Sequence, residues 1–508
     1  MTEATTTATD DADASGRGPH QGKTALVLSA LGLMVDIYDV GVINLVRPNL
    51  EAEFGVFSPG QDAAVTGASL FGAMVGQIFF GCVADYWGRK PIFVATASLI
   101  GIFAFLTALA RPVLGFPVST WLVVTRFFMG FGIGGEYPLS AANTIENVSP
   151  QQAAQAFAVV TVGMASGFIF GPLVLLLLDT VLGLSSEMVW RGSFGVGSAV
   201  GIVLAFCRFF LLEETDAFSR ATAAGSGSES SSLQLVREPS GSGGAAADAK
   251  QGHAAALWHM RWSLIGTAGS WFLYDIATYG VGLFSTEIFP TEPGHDTAIV
   301  LLKINSFSLF GNMVAIWLSS RVPLRQIQAC GLLAMAACFL VLYHQHRSLG
   351  IPVGVQSTWP LLVFGLMRAF DNGGPGFTTF AIPGAIFPTQ LRGTAHGLSA
   401  ACGKLGAILG AVAFPLLNSE WSMRGIMLFM ALICICTALW TLIFVPASTI
   451  QQLVKINQVE ANVACLEEQA IVAERVLFAD DPVTFDKSEC DPFMLDFGKS
   501  ISNGGRYT

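Results

Sequence analysis

The chain has 508 residues, is 52% hydrophobic and only 12% charged, with a mean hydropathy of +0.59. Soluble domains carry about a quarter of their residues as charge, so this composition excludes an ordinary soluble protein and makes lipid the solvent. The net charge of −10 sits largely in solvated ends, in Asp10–Asp13 and between Glu467 and Asp496, which argues against nucleic acid as a partner.

Residues 1–23 are polar, Thr-rich and acidic, without the apolar core of a secretory signal, so the first membrane helix must direct insertion. Crossing about 30 Å of hydrocarbon takes roughly 20 apolar helical residues. Such stretches predict helices near 24–47, 64–83, 91–110, 119–141, 157–178 and 194–212, and again near 262–287, 301–320, 327–343, 359–385, 397–417 and 424–445. Between the sets, 213–257 contains SGSGSESSS and SGSGGAAA, a composition that cannot build a core and reads as a flexible linker. The expectation is an all-α membrane protein of about twelve transmembrane helices, divided into halves 24–212 and 258–445.

Beyond Pro446, the tail 446–508 turns polar. Ile456, Val459, Val463, Leu466, Ala470, Ala473 and Leu477 step by three and four, predicting an amphipathic helix docked on the protein or the membrane face, or self-associating as a coil. Arg17, Lys23, Arg89, Lys90, Arg220, Arg237, Lys250, Arg321, Arg325 and Arg392 fall on one side of this topology, so both termini and the linker are expected in the cytoplasm. The cysteines read as small apolar packers, His344 and His346 have no cluster of ligands around them, and no metal or other cofactor is expected.

The halves repeat each other. GCVADYWGRKPI at 81–92 returns in degraded form as WLSSRVPLRQIQ at 317–328, the run from Arg126 to Pro138 as RAFDNGGPG at 368–376, and Asp36 as Asp275, all at a nearly constant offset. Two such halves with a substrate between them are a known transporter architecture.

An ionisable side chain in mid-membrane costs at least a few kcal/mol and faces a cavity or a partner. Here the acids are Asp36, Asp39, Glu136, Asp275 and Asp371, and the bases Arg126, Arg368 and Lys404. An oxyanion needs positive charge and donors: Lys404 supplies the first, and Tyr137, Trp271 and Tyr279 supply O–H and N–H groups. Carboxyls beside an anion help only when protonated, which couples anion binding to proton uptake. Arg126 and Arg368 also suit plain pairing with acids or carbonyls, Asp371 suits a salt bridge to Arg368, and the glycines at 130, 132, 134 and 135 suit close helix approach.

Gly81-Cys-Val-Ala-Asp85-Tyr-Trp-Gly88-Arg89-Lys90 resembles the loop between the second and third helices of major facilitator transporters, where it acts as a conformational latch. Asp36-Ile-Tyr-Asp39, Gly134-Gly-Glu136-Tyr137-Pro138, the Trp271…Asp275…Tyr279 series, Phe387-Pro-Thr389 and Thr394-Ala-His396 to Lys404 resemble the inorganic phosphate:proton symporters. With the latch, the resemblance runs from about residue 30 to 420. It implies two pseudo-symmetric six-helix halves and proton-coupled phosphate import by alternating access, with the plasma membrane as the expected location. It further implies substrate binding by Glu136, Tyr137, Trp271, Asp275, Tyr279 and Lys404, and proton coupling by Asp36, Asp39, Glu136 and Asp275.

Four positions depart from that pattern: Glu136 for an aspartate, Val160 for a glutamine, Gly376 for an asparagine and Ala385 for an acid. Either Glu136, Arg368 or water replaces the missing amide donors, or the extra room admits a substituent on the phosphate. A transporter of a small organophosphate or other organic anion, and a phosphate-sensing membrane receptor, are the competing readings. An enzyme is not expected, because no nucleophile–base or metal-ligand pattern appears.

Overall fold

A computed structural model of the chain describes residues 19–446 apart from 113–114, 150–151, 216–218, 220–256, 259, 283–287, 290–294 and 350–357. Most of the expected linker and the whole amphipathic tail helix lie outside the described residues. Met1–Asn457 forms one compact unit, to which everything below refers.

The first half contains α1 (Pro19–Phe54), α2 (Pro59–Trp87), α3 (Arg89–Ala108), α4 (Val118–Glu146), α5 (Ala153–Leu175) and α6 (Ser186–Leu211), with α5 running on through a π-helical turn, Leu176–Val181. The second half contains α7 (Arg261–Gly282), α8 (His295–Ser319), α9 (Leu324–Leu349), α10 (Thr358–Gly373), α11 (Pro375–Ile386) and α12 (Arg392–Phe444). Several helices outrun the predicted apolar stretches: α1 starts at Pro19, inside the polar segment 1–23, whose composition predicts disorder rather than helix. Capping residues set some boundaries. Ser58 and Gln61 form a reciprocal capping box that starts α2. Gly88, at φ 97° and ψ 164°, turns α2 into α3 with a backbone that a side chain would strain.

Two spans differ from expectation. The predicted tenth helix is broken into α10 and α11 between Gly373 and Pro375, because Pro375 has no N–H to continue the ladder and its ring collides with the preceding turn. The predicted eleventh and twelfth helices share one continuous helical backbone, α12. Among the described residues, ten segments are long and apolar enough to cross a bilayer, two of them (Arg392–Val412 and Met423–Phe444) within α12. The polar α7 and the broken α10–α11 complete twelve crossings, six in each half.

Large apolar side chains stay exposed around the bundle, among them Ile102, Val203, Phe206, Phe310, Leu439 and Ile443. That is what lipid requires and water does not. Helices approach closely where glycine removes the side chain. A Cβ on Gly130 or Gly134 of α4 would collide with the carbonyls of Ser69 or Ala73 on α2, so the Gly-rich run of α4 serves packing against α2. The halves meet where α2 packs on the first turns of α12 and where α5 packs on α8.

Candidate functional site

Between the halves lies a cavity with about 1360 Å³ of empty space, counting the part open to solvent. Three helices of the first half and five of the second contribute to its wall. Four-residue spacing stacks Trp271, Asp275 and Tyr279 along one face of α7, and all three line the cavity together with Tyr137 of α4 and Lys404 of α12. The Lys404 ammonium donates to Asp275 Oδ2 at 3.2 Å and to the Tyr279 hydroxyl at 3.0 Å. It also sits 5.2 Å from the Tyr137 ring centre and 4.6 Å from that of Tyr279. Tyr137 and Trp271, one from each half, approach to 6.2 Å between ring centres. Behind Trp271, His396 stands edge-on at 5.6 Å, its Nε2 3.1 Å from the Phe380 carbonyl. Five of the six residues expected to bind substrate are thus brought together.

The sixth, Glu136, is not on the cavity wall. Its carboxylate takes a two-pronged hydrogen bond from Arg208, Nη1 to Oε1 at 2.6 Å and Nη2 to Oε2 at 2.7 Å, and a third from the Thr96 hydroxyl at 2.6 Å. Both partners are fully buried. Arg208 lies over the Phe93 ring at 3.5 Å and donates to the Phe93 and Leu28 carbonyls. Sequence reasoning missed Arg208 because it stands in the last turn of an apolar run, where a cation suits the helix end. The rule that a buried acid needs a partner pointed to such a base without saying which one.

Asp36 and Asp39 lie on α1, buried, with no hydrogen-bond partner for their carboxyl oxygens among the described residues. Neither lines the cavity, although their neighbours Ile37, Tyr38 and Val40 do. Arg126 does not bond the Asp39 carboxylate. It donates instead to the carbonyls of Asp39 and Val40 at 3.3 Å and Val65 at 3.1 Å, and to the Ser69 hydroxyl at 3.1 Å. It ties α1, α2 and α4 together. Val160 is fully buried away from the cavity.

Arg368 and Asp371 of α10, paired at 2.6 Å, line the same cavity. The Tyr274 hydroxyl donates to the other Asp371 oxygen at 2.5 Å. A Cβ on Gly376 would lie 3.1 Å from that hydroxyl and 2.9 Å from the Asp371 carbonyl. The space left by glycine is therefore filled by Tyr274.

The residues of the expected latch join the two halves. Asp85 pairs with Arg89 at 3.0 Å and accepts from the Gly393 N–H at 3.1 Å, the Thr394 N–H at 2.7 Å and the Thr394 hydroxyl at 2.8 Å. Arg89 donates to the Thr389 carbonyl at 2.9 Å, and Glu146 accepts from both Arg89 and Arg392, at 3.2 and 2.8 Å. Every one of these contacts except the Asp85–Arg89 and Glu146–Arg89 pairs joins the first half to the second. Gly81 and Gly393 meet back to back, each with a carbonyl where the other's Cβ would go. The backbone N–H groups of Arg89 and Lys90 are capped by the Glu214 carboxylate at 2.9 and 3.1 Å.

The family model for sugar (and other) transporters matches residues 24–459. Among curated relatives, a "Probable inorganic phosphate transporter 1-6" of Arabidopsis thaliana is 30% identical over 465 residues, covering 80% of this chain and 88% of that protein. The "Inorganic phosphate transporter PHO84" of Saccharomyces cerevisiae is 28% identical over 464 residues, covering 80% and 77%. Among solved structures, the proton:xylose symporter XylE bound to 6-bromo-6-deoxy-D-glucose has a TM-score of 0.68 at 18% identity, over 87% of this chain and 100% of that one. That likeness concerns the fold alone. The match over most of the chain places it plainly: this is a multi-pass membrane transporter, not an enzyme, and it belongs to the sugar (and other) transporter family of the major facilitator superfamily.

Proposed function

We propose that the protein imports inorganic phosphate together with protons by alternating access. The observation that carries the reading is the Lys404–Asp275–Tyr279 group on the cavity wall, facing Tyr137 and Trp271. Relatives named as inorganic phosphate transporters support the substrate.

The coupling follows from charge. A phosphate beside Lys404 also stands beside Asp275, its partner at 3.2 Å. Two unit negative charges about 4 Å apart repel by roughly 4 kcal/mol at an effective dielectric of 20, about a thousandfold in affinity. A proton on Asp275 removes that repulsion, releases Lys404 to the anion and adds an O–H donor. Asp36 and Asp39, buried without partners among the described residues, are the further places where a proton can be held on the way. Glu136 is assigned a structural part through Arg208.

In this reading the bodies 24–212 and 258–445 rock against each other about the fixed site. Arg89, Lys90 and Arg392 at the latch belong to the side that also carries Arg17, Lys23, Arg220, Arg237, Lys250, Arg321 and Arg325, whereas the other side has only Arg47, Arg111, Arg191, Lys303, Arg347 and Arg424. With basic residues favouring the inner face, this reading makes the latched end and both termini cytoplasmic. The plasma membrane is the expected location. Because Tyr274 fills the space beside Gly376, the site favours phosphate over a phosphate monoester at that point.

Uptake of labelled phosphate into proteoliposomes, with and without an inward proton gradient, tests the proposal. Gradient-dependent uptake inhibited best by phosphate and arsenate is expected, with glycerol phosphate and dicarboxylates weaker. A stronger competitor among organophosphates, or binding without uptake, would overturn the phosphate importer in favour of the organic-anion or receptor reading.

A further inference from the structure

Lys404 is not the only cation on the cavity wall. Arg368 lines it from α10 and is 5% exposed. Its guanidinium makes one hydrogen bond among the described residues, from Nη1 to Asp371 at 2.6 Å. It also lies over the ring of Phe168, on α5 of the other half, with 4.5 Å between the guanidinium carbon and the ring centre. A carboxylate on one side and an aromatic face on the other hold the guanidinium in place, so little of its freedom remains to be lost on binding.

Asp371, by contrast, is shared. It accepts from Arg368 at 2.6 Å, from the Tyr274 hydroxyl at 2.5 Å and from Asn372 Nδ2 at 3.4 Å. An acid with three donors offsets a single arginine less completely than an exclusive partner does. The remaining Arg368 N–H groups are donors on a mostly apolar cavity wall, where a donor favours an acceptor.

The two ion pairs are neighbours. Tyr274 of α7 reaches Asp371, and the next residue, Asp275, reaches Lys404. We infer that Arg368 is a second anion-binding residue of the transport site, holding a tetrahedral oxyanion together with Lys404. The planar fork of arginine presents parallel N–H groups to two oxygens of one such anion, which a lysine cannot do. The inference rests on the phosphate reading above and adds to it a specificity-determining contact. Arg368 would then favour a dianion with two available oxygens over a monoanion of similar size.

The competing explanation is that Arg368 and Asp371 only neutralise each other. The experiment that separates the two measures binding of labelled phosphate to purified, full-length protein. It compares wild type, R368Q, R368K and the charge-balanced double variant R368Q/D371N, each checked for monodispersity. An anion contact predicts that R368Q/D371N stays about ten- to a hundredfold weaker than wild type, the loss typical of a hydrogen bond to a charged group. R368K should recover part of the affinity lost in R368Q. Wild-type affinity in the double variant would overturn the role of Arg368 while leaving phosphate as the substrate. Absence of phosphate binding by the wild-type protein would overturn the substrate reading itself, and this inference with it.

Discussion

Glu136 is the residue on which sequence and structure diverge most, and its pair with Arg208 permits a quantitative test. In Glu136→Gln the fully buried Arg208 keeps its charge but loses a carboxylate that met it at 2.6 and 2.7 Å. Breaking one side of a buried pair costs about 3–5 kcal/mol, mostly as an uncompensated charge. The amide keeps one acceptor, and the Phe93 and Leu28 carbonyls remain on Arg208 at 3.0 and 3.1 Å, so the lower part of that range is expected. Each 1.4 kcal/mol is a factor of ten, so about 3 kcal/mol lowers the folded-to-unfolded ratio roughly a hundredfold. The assay is thermal unfolding of the detergent-solubilised protein, followed in parallel with phosphate binding. Glu136→Gln should lower the unfolding midpoint clearly while changing phosphate affinity less than about threefold, under ~0.7 kcal/mol. Replacing both partners by methionine should recover part of the stability, since apolar groups of similar volume often substitute for a buried pair without loss. The reasoning fails if Glu136→Gln unfolds like wild type yet abolishes proton-driven uptake. Glu136 would then act directly in coupling, as its place in the fourth helix first suggested.

Three further outcomes follow from the site and the latch. Asp275→Asn should leave the protein inserted and folded but without proton-driven phosphate uptake in proteoliposomes; normal uptake by this variant would remove Asp275 from the coupling. Lys404→Ala leaves Asp275 unpaired and takes the ammonium from the anion, so phosphate binding should weaken by at least about tenfold, the scale of a lost charge-assisted hydrogen bond; unchanged affinity would assign the anion to Arg368 alone. Gly393→Val places a branched side chain where the Gly81 carbonyl and Asp85 already lie, so the latch should open, and thiol labelling at the half-buried Cys82 should rise.

The membrane fold was legible because its signals are long: twelve apolar stretches, a Gly/Ser-rich gap and a duplicated motif each span many residues. The cavity's polar residues were legible for a similar reason, since mid-membrane charges and regularly spaced aromatics on α7 stand out against an apolar background. Pairings across the bundle were not. Nothing local in the sequence distinguishes Arg126, which ends on carbonyls, from Arg208, which ends on a carboxylate, because the choice depends on which helix lies opposite. The break at Pro375 did carry a local signal, the breaker run Asp371-Asn372-Gly373-Gly374-Pro375-Gly376, but a hydropathy window over 359–385 reads through it. Gly376 looked like vacant space because the hydroxyl that fills it comes from Tyr274, about a hundred residues earlier in the chain, a distance at which sequence alone sets no contact.

In the proposed transport cycle, α12 links binding at the centre to the latch. Thr394, which gives Asp85 two of its donors, and Lys404, which holds the proposed anion, lie on the same helix. Ten residues of helix separate them, about 15 Å of rigid backbone. A tilt of α12 that carries Lys404 toward Tyr137 in the first half must also move Thr394 against Asp85. Gross hydrogen-bond strengths would make the latched end too stable to open, since bonds to charged groups are worth about 1.5–3 kcal/mol each and several cross between the halves here. Alternating access requires states within a few kcal/mol of each other. The polar character of the latch resolves this, because on opening water can take over the acceptors of Asp85 and Glu146 and the donors of Arg89 and Arg392, where an apolar seal would find no such substitute. In the proposed cycle the difference between the two states is then small enough for an anion on Lys404, and a proton on its partner acid, to decide between them.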